Sequence, residues 1–335
     1  MRCFCVTLSP MFRCSWILLV IFFCPHCLGA EDGGCAERTV IVSASDSNGK
    51  AIPFTLQSAD IQGKINGKPV RILGVTKPRN TERVVIVLDA SGSMSSKWQR
   101  AVEFAVEIVQ ESPSSAAFAL VIFADNELRT VEFGKTGPEF ITEIMSFKNV
   151  KPYGHTALRD AIWKAVSMFE PNLAGDTIVV VSDGGDNQSK VSRRRLQEAM
   201  WSRGIRVMYA QFVDHYFTDQ FQHSSPPPTP SSPSGPGMYG TVVGDDGDAD
   251  AARLAEGSGG FLSHIEDPQV LPKIAQEIAF EIENYLAVRI TLPTPLEKQA
   301  SLHLEAVDPS GRKRKNIELR FPEKLLPCAS LASRQ

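Results

Sequence analysis

Five oxygen-bearing side chains are spaced for metal chemistry: Asp89, Ser91, Ser93, Thr156 and Asp183. In Asp89-Ala90-Ser91-Gly92-Ser93 the polar residues alternate at the end of an apolar run. Alternate side chains of an extended chain point the same way, so a carboxylate and two hydroxyls can converge. Gly92 lets the backbone bend there without a side-chain clash. An all-oxygen set suits a hard cation such as Mg²⁺, with Mn²⁺ or Ca²⁺ as alternatives. Thr156 stands at the expected N-cap of a helical pattern. Asp183 follows Ser182 at the end of a second apolar run.

Such a set points to binding more than to catalysis. A cation held largely by neutral hydroxyls keeps much of its charge and an open position, and so attracts a carboxylate. Nothing obvious nearby would activate a water or accept a proton. The rival reading is a hydrolase in which Ser91, His155 and Asp183 are nucleophile, base and orienter. It lacks the Gly-x-Ser-x-Gly elbow, because Asp89 holds the first glycine position, and it leaves Ser93 and Thr156 unexplained. Aspartate-nucleophile phosphatases want a second Asp where Ser91 stands. A third reading is a structural scaffold with no metal-dependent partner. Asp245–Asp250 fails as a calcium loop, since Ala251 and Gly257 replace the required Gly and Glu; it reads as a solvated turn before a helix through Arg253 to Glu256. Asp160 and Asp186 read as supporting or surface groups rather than ligands.

The elements that must carry these residues are legible. Val84–Leu88 is a continuous β-branched run, as in a strand buried on both faces of a parallel sheet. Similar runs occur at Ala117–Phe123, Thr177–Val181 and Ile205–Val213. Helical spacing links Trp98 to Val109, Leu158 to Phe169, and Ile274, Ile278, Ile282 and Leu286. Buried strands alternating with amphipathic helices predict an α/β fold, a doubly wound, mostly parallel sheet whose strand C-termini hold ligands. Alternating patterns at residues 39–75 and after 287 predict N- and C-terminal β segments forming a small β-rich module.

The stretches Asp89-Ala-Ser91-Gly-Ser93, Gly154-His-Thr156-Ala-Leu and Ser182-Asp183-Gly-Gly together resemble the metal-ion-dependent adhesion site of von Willebrand factor A (VWFA) domains, over about residues 83–286. The resemblance implies that Asp89, Ser91, Ser93, Thr156 and Asp183 hold the metal, and that a protein partner's Asp or Glu carboxylate fills the open position. Short stretches in the N-terminal flank, Asp46-Ser-Asn-Gly49-Lys with Ile52-Pro53, Ala59-Asp60 and Asn66-Gly67-Lys-Pro69, resemble the segment before this domain in VWFA-related proteins common in acidobacteria.

Length and charge set the remaining bounds. The 335 residues allow one large domain and a smaller one. A net charge of -3 argues against non-specific nucleic-acid binding. Arg2 and Arg13, the apolar run Trp16–Phe23 and the small residues Gly29 and Ala30 form the layout of a signal peptide, residues 1–30. The run is too short and too interrupted for a stable membrane span. A secreted or periplasmic location follows. Cleavage would leave two of the seven cysteines, Cys35 and Cys328, readable as a disulfide in an oxidising compartment. The expected organisation is therefore a signal peptide, a β-rich segment at 31–79, a VWFA domain at 80–287 and a β segment at 288–335. Within the domain, 224–237 carries six prolines, cannot be helix or central strand, and places Pro226 and Pro236 on a loop at the ligand edge, where partner contact is an option.

Overall fold

The computed structural model describes residues 36–46, 50–53, 55–78, 82–173, 175–213, 244–292 and 294–327, with backbone alone at 244–249. The expected signal peptide, the Cys35–Cys328 pair and the stretch with Pro226 and Pro236 lie outside the described residues. Four strands come first: β1 (Glu37–Ser45), β2 (Ile61–Ile65), β3 (Lys68–Val70) and β4 (Ile72–Thr76). An alternating series follows: β5 (Arg83–Asp89), α1 (Trp98–Glu111), β6 (Ala117–Phe123), β7 (Glu127–Val131), α2 (Gly137–Ser146), α3 (Leu158–Ser167), β8 (Thr177–Ser182), α4 (Arg193–Arg203), β9 (Arg206–Phe212), α5 (Gly244–Gly257), β10 (Phe261–Ile265) and α6 (Leu271–Glu283). Then come β11 (Leu286–Thr291), β12 (Ala300–Ala306), β13 (Glu318–Arg320) and β14 (Lys324–Leu325).

The fold is mixed α/β, as the sequence predicts. Its central sheet has six strands in the order β10-β9-β8-β5-β6-β7, all parallel except β7, which returns antiparallel to β6. The β-branched run explains the layering. Val84, Ile86 and Leu88 face a core shared with α1 and α6, while Val85 and Val87 face one shared with α3, α4 and α5. Period-2 alternation thus buries both faces of β5, and its side chains are 0% exposed from Val84 to Leu88. Parallel register sets Leu88 beside Val181 and Asp89 beside Phe123. The C-termini of β5, β6 and β8 therefore finish level, on one edge of the sheet.

The two flanks interleave. β1 pairs antiparallel with β11, and the four-stranded sheet runs β13-β1-β11-β4. A second sheet runs β14-β12-β2-β3. Val40, Val42, Ile61, Ile65, Val288, Ile290, Leu302 and Leu304 form their common core. An ion cluster joins this module to the central domain: Arg320 of β13 donates to Glu281 of α6 at 2.8 Å, and Arg206 of β9 lies 3.9 Å from the same carboxylate.

Three expectations need correction. Leu286 belongs to β11, not to the last helix, which ends at Glu283 with a non-helical Asn284 behind it. Asp245–Asp250 lies inside α5, which starts at Gly244; its run is helical rather than a turn. Thr156 is not an N-cap: Ala157 holds that position, and the helix begins at Leu158. β7, α2 and β10 carry no sequence expectation. Among the described residues no helix is long and apolar enough to cross a membrane.

Candidate metal centre

The chain leaves β5 at Asp89 and turns at once. Ser91 has extended backbone angles, and Gly92–Met94 forms a single 3₁₀ turn closed by Met94 N–H to Ser91 O at 3.0 Å. Met94 is fully buried and pins this turn, and Trp98 anchors the following helix by donating its indole N–H to Phe147 O at 3.0 Å. Gly92 serves close approach rather than an unusual φ. Its N–H reaches Gly154 O at 3.1 Å, and a Cβ on Gly92 would sit 3.4 Å from that oxygen. Gly154 itself has φ +81°, which favours glycine. Tyr153 N–H also binds Ala90 O at 3.0 Å, so the loop bearing Thr156 is laced to the loop bearing Ser91.

Asp89 is fully buried and both its oxygens accept hydrogen bonds. Oδ1 takes the Ser91 N–H at 2.8 Å, and Oδ2 takes the Ser182 hydroxyl at 2.5 Å. Ser91 Oγ lies 3.1 Å from Ser93 Oγ, with Ser91 buried and Ser93 exposed. Asp183 follows at the mouth, half-buried, with Lys97 Nζ 3.4 Å from its Oδ2. Thr156 is buried; its N–H donates to Asn187 Oδ1 and its carbonyl accepts from Asn187 and Gln188 N–H, at 3.0 to 3.1 Å. A Cβ on Gly185 would lie 3.9 Å from Thr156 Oγ1. The three loops thus meet at one edge, as the spacing predicts.

The electrostatics are those of a site short of positive charge. Burial, with the charge of Asp183 added, pushes the Asp89 carboxyl up to about 6, against the hydrogen bonds from Ser182 and Ser91 that stabilise its ionised form. Tyr209 of β9 is fully buried, and its hydroxyl has no hydrogen-bond partner among the described residues. Burial and the fields of Asp89, Asp183 and Asp186 hold that phenol above its usual range. Two carboxylates and two adjacent hydroxyls fit a small hard cation. Among the described residues no three His, Cys, Asp or Glu side chains gather as a metal cluster.

The hydrolase arrangement is not assembled. His155 is exposed, and no hydrogen bond joins it to Ser91 or Asp183 among the described residues; those side chains turn to Ser93 and Lys97. Asp160 and Asp186 fasten a loop. Asp160 accepts the N–H groups of Lys190 and Val191, and Asp186 those of Arg159 and Ser189. Sequence reasoning missed the roles of Ser182 and Lys97. Ser182 ends β8 next to the end of β5, a signal readable only once the register is known.

Residues 84–185 match the model of the von Willebrand factor type A domain. The match supports a von Willebrand A-type domain over this stretch and takes in every candidate metal-site residue. Among solved structures, conserved hypothetical protein BatB from Bacteroides thetaiotaomicron is 20% identical, with a TM-score of 0.43, over 59% of this chain and 98% of that one. A von Willebrand factor type A structure from Catenulispora acidiphila is 12% identical, with a TM-score of 0.47, over 90% of this chain and 76% of that one. An aerotolerance-related membrane protein from Bacteroides fragilis is 19% identical, with a TM-score of 0.42, over 58% of this chain and 98% of that one. No curated protein matches the sequence.

Proposed function

We propose that this protein is an extracytoplasmic interaction module that engages an Asp or Glu side chain of a protein partner through a Mg²⁺ held by Asp89, Ser91, Ser93, Thr156 and Asp183. The observation that carries the reading is the Ser91–Ser93 hydroxyl pair, 3.1 Å apart, in the loop whose Ser91 N–H binds the buried Asp89 carboxylate at 2.8 Å. The von Willebrand A match supports an interaction role, since domains of this type are generally binding modules rather than enzymes. When bound, the cation supplies a Lewis-acidic position for an incoming carboxylate.

The chain's own residues do the rest. Asp89 is held on both oxygens by Ser91 N–H and the Ser182 hydroxyl, so its carboxylate is fixed at the end of β5. Ser91 and Ser93 present neutral oxygens, which cancel none of a bound cation's charge. Asp183 and Thr156 close the set from the other two loops. The leader-like N-terminus supports a secreted or periplasmic location. The test is capture of partners from the extracytoplasmic fraction with and without chelator. The reading predicts Mg²⁺-dependent capture that Thr156→Ala abolishes; capture indifferent to both would overturn it.

A further inference from the structure

Lys97 stands at this edge outside the proposed ligand set. It occupies the N-cap of α1, a 14-residue helix with no acidic residue in its first turn. That end of a helix carries partial positive charge and disfavours a cation. The ammonium is nevertheless drawn in, with its side chain 12% exposed and Nζ 3.4 Å from Asp183 Oδ2, which is itself 13% exposed. The backbone leaves Lys97 little freedom to sit elsewhere: its N–H binds Met94 O at 2.9 Å, and Met94 is fully buried. A fixed loop thus aims a lysine at one of the two candidate metal-binding carboxylates.

We infer that Lys97 is a built-in counter-ion that competes with the divalent cation for Asp183 and so sets the metal affinity of the site. In the metal-free protein the ammonium offsets the mutual repulsion of Asp183 and Asp89. A cation held by Asp183 would share that carboxylate with a like charge, at a helix end that adds to the repulsion. The consequence is a site tuned to weaker metal binding than its oxygen set alone would give. This inference rests on the metal-site reading above, but it adds an affinity-determining residue outside the ligand set.

The experiment is a calorimetric Mg²⁺ titration of the purified protein at low salt, paired with thermal unfolding with and without Mg²⁺. It compares wild type with Lys97→Met, Lys97→Gln, Lys97→Arg and Thr156→Ala. Expected is about tenfold tighter Mg²⁺ binding in Lys97→Met and Lys97→Gln, with Lys97→Arg close to wild type. The metal-free Tm of the two neutral variants should fall while their Mg²⁺-induced rise in Tm grows, a crossing that loss of packing alone would not give. The gain should shrink as salt is added. Wild-type uptake of Mg²⁺ with unchanged or weaker affinity in the neutral variants overturns the inference and leaves the site intact. No Mg²⁺ uptake by wild type, or uptake unaffected by Thr156→Ala, overturns the metal-site reading and the inference with it.

Discussion

The hydroxyl of Ser182 donates to the Asp89 carboxylate at 2.5 Å, and by doing so ties the ends of two neighbouring parallel strands together under the candidate metal site. Both side chains are fully buried, so neither has water to fall back on. The same hydroxyl accepts Gly184 N–H at 3.2 Å, which carries the constraint into the Asp183 loop. Fold stability and site geometry therefore share one hydrogen bond.

Ser182→Ala should cost about 1–3 kcal/mol, because it leaves a buried carboxylate oxygen short of a donor. It should also raise the Asp89 pKa further, since that hydrogen bond favours the ionised form. Urea unfolding of the metal-free protein measures the first effect. The second shows as weaker Mg²⁺ binding at neutral pH.

The raised pKa of Asp89 fixes the direction of a pH effect. Its folded value, about 6, lies above the ordinary carboxylate value, so the folded state holds this proton more tightly than the unfolded chain. The stability contributed by this group is complete below about pH 4 and is lost as pH rises through 6. The loss is roughly 3 kcal/mol. Metal binding runs the other way, because protons compete for the carboxylate, and Mg²⁺ affinity should fall as pH drops below 6. Comparing denaturation midpoints of wild type and Asp89→Asn across pH 4 to 8 isolates the term: only wild type should lose stability on this account.

Much of the central domain was legible because β-branched runs and helical periodicity both report burial. Val84–Leu88 and Ala117–Phe123 are so apolar that no other placement is economical, and both are strands. Glu127–Val131 and Phe261–Ile265 escaped because each is a five-residue edge strand, half-exposed, with too few buried positions to leave a pattern. The five candidate ligands were read from type and spacing. Their partners were not: the bond from Ser182 to Asp89 depends on register, and the approach of Lys97 to Asp183 on a loop turn that composition does not encode. Thr156 has the chemistry of an N-cap, yet it serves the loop of Asn187 through its backbone, which displaces the cap to Ala157.

Glu281 should be a stability residue remote from the metal site. It is 2% exposed and faces Arg206 and Arg320, and Arg206 is itself fully buried over the Tyr285 ring at 4.5 Å. Glu281→Ala strands a buried guanidinium and should cost about 3–5 kcal/mol. Urea denaturation checks the size. Mg²⁺ affinity of the folded variant should match wild type.

Gly154→Ala should damage the site from its backbone. A Cβ there would meet Asp125 Oδ1 at 3.1 Å, and φ of +81° is strained for any other residue, at about 1–3 kcal/mol. The Gly92–Gly154 hydrogen bond that laces two loops would loosen. The prediction is weaker Mg²⁺ binding and a lower Tm together, read by titration and by calorimetry.

Everything in the functional account rests on one cation held where three loops meet. Calorimetric titration of the purified protein with Mg²⁺, beside a Ser91→Ala/Ser93→Ala double variant, addresses this directly. The account predicts saturable one-to-one uptake by wild type and none by the double variant. A folded wild-type chain that takes up no Mg²⁺ or Mn²⁺, or a double variant that binds as well as wild type, would contradict it.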